Sequence, residues 1–250
     1  MGYLMNKKCV SQGDAILIDL GDTEVLIDGG DRSPGVTAYL EDYVNGDLEV
    51  MVATHPHADH IGGLIEVLED FNVDEIWLNG DTSTSKTYGD FMTGVNAEGA
   101  EVEEARRGDT IIVGNLVFDV LYPVEPLVAD DNSNSVVLRL NYGDTGFLFT
   151  GDAEERFEMS MIASSVIYDI DILKVAHHGS SNPLYPMFLS VVQPEVAIYM
   201  AGEDNTYGHP HPETIQALED IGAEIYGTDV CGTITVTTDG TDYKVSGCTP

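Results

Sequence analysis

Thr54-His55-Pro56-His57-Ala58-Asp59-His60, running on into Ile61-Gly62-Gly63, is the stretch that decides how this chain folds. Four potential ligands, His55, His57, Asp59 and His60, fall within six consecutive residues. The run before them, Leu48–Ala53, is apolar and reads as a buried strand. After them, apolar residues at 61, 64, 65 and 68 mark one face of a helix over 61–68. Imidazole and carboxylate are the ligands that borderline divalent ions such as zinc accept. In an extended segment His55 and His57 project to one side and can share one ion. Asp59 and His60, at the helix start, can turn toward a second. Gly62-Gly63 allows the backbone to pass close by. A polar loop that merely happens to hold three of the chain's seven histidines is the bland alternative. A strand leading in and an apolar helix leading out are the context a metal motif requires, and that argues against it.

Three further stretches extend the pattern. Phe147-Leu148-Phe149-Thr150-Gly151-Asp152 is an apolar strand that ends in an aspartate. Gly-Asp alone is an ordinary turn, but a buried carboxylate is costly unless paired or bound to metal, and one carboxylate can bridge two cations. Asp171-Ile172-Leu173-Lys174-Val175-Ala176-His177-His178-Gly179-Ser180 ends another apolar strand in a histidine pair. Asn205-Thr206-Tyr207-Gly208-His209-Pro210-His211-Pro212 reads equally well as a helix entry with proline near N1 or as a source of a substrate-contacting histidine.

Periodicity places these stretches in a wider order. A hairpin is predicted from runs 15–20 and 24–28, then a helix at 35–45, strand 48–53, helix 61–68 and strand 74–78. Residues 80–108, polar and rich in Gly, Thr and Ser, read as a loop carrying a helix near 88–98. Strands follow at 110–113, 115–121, 135–141 and 145–150. The second half alternates helix 154–164, strand 170–176, helix 183–192, strand 195–200, helix 212–221 and strand 223–226, and closes on a hairpin of 233–237 and 242–245. Two face-to-face sheets with helices outside satisfy that order, in one domain spanning 1–250.

Composition bounds the function. With 44 acidic and 10 basic residues among 250, the formal charge is −34, and acids occur in every segment while the apolar runs stay intact. This is the pattern of a halophilic protein; at 1 M salt the Debye length is about 3 Å and self-repulsion is largely screened. No basic patch exists to release counterions from nucleic acid at ordinary ionic strength. Cys9, Cys231 and Cys248 are far apart, and predict neither a disulfide framework nor a thiolate metal site. No apolar stretch is long enough to span a membrane and no secretion signal is evident, so a cytoplasmic location is expected.

Taken together, His55-x-His57-x-Asp59-His60-x-Gly62-Gly63, Gly151-Asp152 and His177-His178-Gly179-Ser180 resemble the metallo-β-lactamase-fold superfamily. Within it, several segments are similar to the hydrolase domain of ComEC-type competence proteins. They are Gln12-Gly13-Asp14-Ala15, Leu26-Ile27-Asp28-Gly29-Gly30, Asn134-Ser135-Val136-Val137-Leu138, the Leu173–Ser180 run, Asn205-x-Tyr207-Gly208-His209-Pro210 and Thr228-Asp229. The likeness runs from about residue 11 to the end. It implies an α/β fold, a four-layer αββα sandwich, with two divalent ions, zinc or manganese, in a cleft at the sheet edges. His55 and His57 would hold the first ion, and Asp59 and His60 the second. Asp152 would bridge them, and one of His177 and His178, with His178 preferred, would complete the second site. Many members place a third histidine on the first ion. Here no histidine lies between His60 and His177, and the segment Asp130–Ser135 takes that region, which implies an oxygen-richer first site suited to manganese. The residues before Gln12 lack the usual apolar opening strand, and the long membrane channel of competence proteins is missing from this sequence.

The chemistry expected is hydrolysis by water activated between two cations, with Asp59 and Asp152 orienting it and Asn134, Ser135 or His209 donating to the substrate oxygen or the leaving group. The likeness favours a phosphodiester, single-stranded nucleic acid at high salt. A small-molecule ester, lactone or β-lactam is the second reading, and a non-catalytic metal-binding domain the third.

Overall fold

The computed structural model describes residues 2–5, 13–33, 35–165, 169–182 and 186–247. In chain order the elements are β1 (Gly2–Met5), β2 (Ala15–Asp19), β3 (Glu24–Gly29), α1 (Gly35–Leu40), β4 (Leu48–Ala53), α2 (Ala58–Asp70), β5 (Val73–Leu78), α3 (Lys86–Glu98) and β6 (Glu101–Glu104). Next come β7 (Thr110–Val113), β8 (Leu116–Tyr122), β9 (Val137–Tyr142), β10 (Thr145–Phe149), α4 (Glu155–Ser164), β11 (Ile172–Lys174), α5 (Pro186–Val192) and β12 (Val196–Tyr199). The chain continues with α6 (Pro212–Asp220), β13 (Glu224–Gly227), α7 (Thr228–Cys231), β14 (Ile234–Thr238) and β15 (Tyr243–Ser246).

Two sheets result, ordered β15-β14-β1-β2-β3-β4-β5-β6 and β13-β12-β11-β10-β9-β8-β7. In the first, β3 to β6 run parallel; in the second, β10 to β13 do. Side chains alternate across a strand, so each apolar run feeds two cores. Ile16, Ile18, Val25, Ile27, Val50 and Val52 point between the sheets and meet Leu138, Leu140, Phe147, Phe149 and Ile198 from the other side. Their neighbours Leu17, Leu26 and Met51 point outward onto Leu40 of α1, Leu64 of α2 and Phe91 of α3. Leu148, Leu173 and Ala197 point outward from the second sheet onto Phe157 of α4, Phe188 of α5 and Leu218 of α6. Helices therefore cover both outer faces, giving the expected αββα sandwich.

Several boundaries differ from expectation. Helix α2 begins at Ala58 rather than Ile61, so Asp59 and His60 lie in its first turn. Part of the predicted loop over 80–108 is strand β6, which pairs with β5 although all four residues are exposed. Glu-Val-Glu-Glu reads as loop because an edge strand is defended by charge rather than marked by alternation. β1, not predicted, pairs with both β2 and β14; residues 6–12 after it lie outside the described residues. The helix expected at 35–45 ends at Leu40, and the strand expected at 170–176 is only Ile172–Lys174, because the chain leaves the sheet to carry the histidine pair. Of the helix expected at 183–192, residues 183–185 are outside the described set. The cysteine reading needs correction: Cys231 is disulfide-bonded.

Candidate metal centre

The centre forms where β4, β10 and β11 end, at one edge of the sandwich. Asp28 fixes the first half of it. Its carboxylate accepts from Thr54 N at 2.8 Å, from Thr54 Oγ1 at 2.7 Å and from His60 Nδ1 at 2.7 Å. With Nδ1 facing Asp28, His60 turns its Nε2 into the centre. Thr54 Oγ1 gives its proton to Asp28, so it accepts from His55 Nδ1 at 3.1 Å, and His55 Nε2 likewise faces the centre. Helix α2 reaches this position only because Gly63 has no side chain: a Cβ there would lie 2.0 Å from the Gly29 carbonyl oxygen. Gly13, at φ +97°, passes so near Asp59 that a Cβ would lie 1.7 Å from its carbonyl oxygen. That passage sets Asp14 beneath the site.

The second sheet supplies the other half. Asp152, 2% exposed, follows β10. Its Oδ1 lies 3.2 Å from His60 Nε2, and its Oδ2 lies 3.3 Å from His178 Nε2 and 3.9 Å from His55 Nε2. Beyond β11, His177 and His178 both adopt positive φ, 49° and 55°, which sends their rings in different directions. His178 Nδ1 donates to the Met200 carbonyl at 2.9 Å and lies 3.3 Å from Asp14 Oδ1. Its Nε2 meets Asp59 Oδ2 at 3.3 Å. His177 is set further out, Nε2 3.8 Å from Asp152 Oδ2 and Nδ1 3.5 Å from Glu154. Behind both halves Lys174, fully buried, pairs with Asp14 Oδ2 and donates to the Gly151 carbonyl at 3.1 Å.

Electrostatics follow from this packing. Burial opposes charge on His60 and His178, but Asp152 outweighs it, joined by Asp28 at His60 and Asp14 at His178, and both are raised well above the usual histidine range. For Asp152, burial is likewise outweighed by the same two imidazoles, which hold the carboxyl well below its usual range. His55 shifts the other way, lowered by burial and by the neighbouring His60. His209 is pushed down to about 4 by burial and by His178 and His177.

A metal fits these groups. His55 Nε2, His60 Nε2, His178 Nε2 and Asp152 Oδ1 are buried without a well-aligned hydrogen bond, the close His60–Asp152 approach included. Unpaired buried polar atoms are costly, and all four converge. Asp14, His60, Asp152 and His178 each offer a ligand atom within 4.8 Å of the others. Asp14 stands apart in this set. It lies on the Nδ1 side of His178, already against the Lys174 ammonium, and so orients an imidazole rather than facing an ion. The remaining residues, His60, Asp152 and His178 with Asp59, could hold one divalent ion; His55 and His57 with Asp152 could hold another. On that outer side Asp131 Oδ2 lies 3.6 Å from His57 Nε2.

A cleft of about 210 Å³ opens above, lined by His57, Asp59, Asn132, Asp152, His177, His178, Tyr207 and His209. The structure thus brings His209 to the cleft, but not Asn134 or Ser135. Asn134 donates to Asp81 and to the Val128 carbonyl and accepts from Val128 N, so its amide holds a loop. Asn132, two residues earlier, faces the cleft instead. Ser135 lies behind the site, 3.3 Å from His55 Nδ1 and accepting from Asp152 N at 3.2 Å, where it positions ligands rather than substrate. Sequence reasoning assigned no role to Asp14, Asp28, Lys174 or Tyr207. Asp28 carried a signal, since it ends an apolar strand before glycine just as Asp152 follows one.

An αββα sandwich with histidines and aspartates converging at the strand ends is the architecture of a metal-dependent hydrolase, and the chain belongs to the metallo-β-lactamase superfamily, whose pattern matches residues 10–203. Among its relatives are ComEC-type competence proteins. ComE operon protein 3 of Bacillus subtilis is 32% identical over 187 residues, 75% of this chain and 24% of that protein. Recombination protein 2 of Haemophilus influenzae is 31% identical over 234 residues, 91% of this chain and 28% of that protein. The chain therefore spans about a quarter of the length of these relatives. Among solved structures, the metallo hydrolase Igni18 from Ignicoccus hospitalis shares the fold with a TM-score of 0.59 at 16% identity, covering 96% of this chain and all of that one. No helix among the described residues is long and apolar enough to cross a membrane.

Proposed function

We propose that the chain is a phosphodiesterase of nuclease type that works with two divalent ions. The observation that carries this reading is the convergence of three unpartnered imidazole Nε2 atoms and Asp152 on one buried point, in a chain whose relatives are competence proteins. Bound there, two cations would supply a water activated near neutral pH and draw charge from a phosphoryl oxygen. The chain's own groups do the rest. Asp152, between His55 on one side and His60 and His178 on the other, would hold both ions. Asp59 Oδ2, in the cleft wall beside His178, would accept a hydrogen bond from the attacking water and aim it. His209, neutral at physiological pH, donates a hydrogen bond at the cleft mouth without adding charge. Asp131, beside His57, would add an oxygen to the outer position, a donor set that would favour manganese over zinc.

The test is an assay in molar KCl with Mn²⁺ or Zn²⁺, offering labelled single-stranded DNA alongside nitrocefin and a nitrophenyl ester. Cleavage of DNA that falls about 100- to 1000-fold in Asp152→Ala is expected, since removing a preorganised electrostatic group costs on that order. Turnover of nitrocefin or ester with DNA intact would replace this reading by that of a small-molecule hydrolase. Bound metal with no turnover of any of the three would leave a metal-binding domain. Full activity in Asp152→Ala would overturn the mechanism.

A further inference from the structure

Tyr207 is 66% exposed, and it lines the metal cleft. Its position is built rather than incidental. Asn205 clamps the turn beneath it, accepting from His209 N at 2.9 Å and donating to the His209 carbonyl at 2.7 Å and the Gly202 carbonyl at 2.8 Å. The tyrosine ring is nearly parallel to that of His209, 18° apart with centroids at 5.7 Å. His209 in turn lies 28° from His178 at 6.1 Å. Three near-parallel rings thus step from solvent down to the candidate metal ligands, and the outer face of the first is open.

Outside the metals the cleft offers a phosphodiester hydrogen bonds from imidazole and amide groups but no permanent cation. None of its eight lining residues is lysine or arginine, and the chain carries a formal charge of −34. Ionic grip on a backbone is therefore unavailable, and at high salt it would be screened in any case. Stacking on an aromatic face is sequence-tolerant and does not depend on counterion release.

We propose that Tyr207 is a stacking platform for the nucleobase next to the scissile phosphate, so that the substrate is a base-bearing single strand recognised by its ring and not by its charge. This rests on the phosphodiester chemistry proposed above. The experiment measures fluorescence anisotropy of the metal-loaded chain with a phosphorothioate-linked oligothymidine, which resists cleavage, and with an abasic oligomer of the same length and linkage. Wild type, Tyr207→Ala and Tyr207→Phe are compared, and kcat and KM are taken on the cleavable oligothymidine.

Tyr207→Ala is expected to raise Kd and KM for the base-bearing strand roughly 5- to 100-fold with kcat nearly unchanged, Tyr207→Phe to stay close to wild type, and the abasic oligomer to bind all three alike. Affinity for oligothymidine should change little between about 0.5 and about 3 M KCl, where a backbone-gripping protein would lose orders of magnitude. Equal loss on both oligomers, or no loss in Tyr207→Ala, would overturn the platform while cleavage of DNA kept the nuclease reading. Tyr207-dependent binding without cleavage of the ordinary strand would do the reverse. Failure of both oligomers to bind would end both.

Discussion

Asp28 illustrates how a side chain that meets no substrate can govern a site. Its two oxygens accept from Thr54 twice and from His60 once, which fixes the tautomer of His60 and, through Thr54, that of His55. Asp28→Asn keeps the volume but places an amide donor against one of these donors. The fold should persist while affinity for the inner ion, followed by titration calorimetry with Mn²⁺, falls about 10- to 100-fold; unchanged affinity would show that His60 is oriented by other contacts. At this scale the sequence was readable where ligand chemistry repeats at short spacing, as in His55-x-His57-x-Asp59-His60. It was not readable where the choice depends on the path of the backbone. Asn132 and Asn134 are the same residue type on one tight turn, and only the fold decides that the first faces the cleft and the second ties Asp81 to Val128. His177 and His178 differ in the same way, through two residues of positive φ that no spacing rule anticipates.

Among the elements, β3 carries a pH-dependent cost at its first residue. Glu24 is 4% exposed, and its backbone N–H donates to Glu49 at 2.7 Å. Burial first, then Glu49, Asp19 and Asp22, push its carboxyl up to about 7 from 4.5. The folded chain therefore holds a proton there that the unfolded chain releases above 4.5, so this group's contribution to stability falls as pH rises from 4.5 to about 7 and stays low above. Melting temperature at fixed salt should rise when pH is lowered through that window, and Glu24→Gln should melt higher than wild type above pH ~7 with the rise much reduced. A variant with the wild-type pH profile would locate the effect elsewhere. Strands such as β2, β3, β4 and β10 were legible because both faces are buried and the apolar run is continuous. The acidic edge strand β6, and β1 whose pairing with β14 joins the two ends of the chain, depend on neighbours distant in sequence, and local pattern did not reveal them.

For the molecule as a whole, the order of hairpins and helix–strand alternation was enough to give two sheets covered by helices, and the acid excess was plain in composition. What the order did not show is how responsibility for the centre is divided. His55, His57, Asp59 and His60 hang from the first sheet, and Asp152, His177 and His178 from the second. A cation seated among them is thus a rivet between two plates that are otherwise joined by their apolar faces. Saturation at a hundred times the dissociation constant stabilises a fold by about 2.7 kcal/mol, or about 5–10 °C for a chain of this size. Calorimetric melting with Mn²⁺ against a chelator should show that shift in wild type and lose it in Asp152→Ala; melting indifferent to metal would mean that the plates hold without the rivet. Where the shift appears, the working lifetime of the fold becomes a gauge of the cation content of its surroundings.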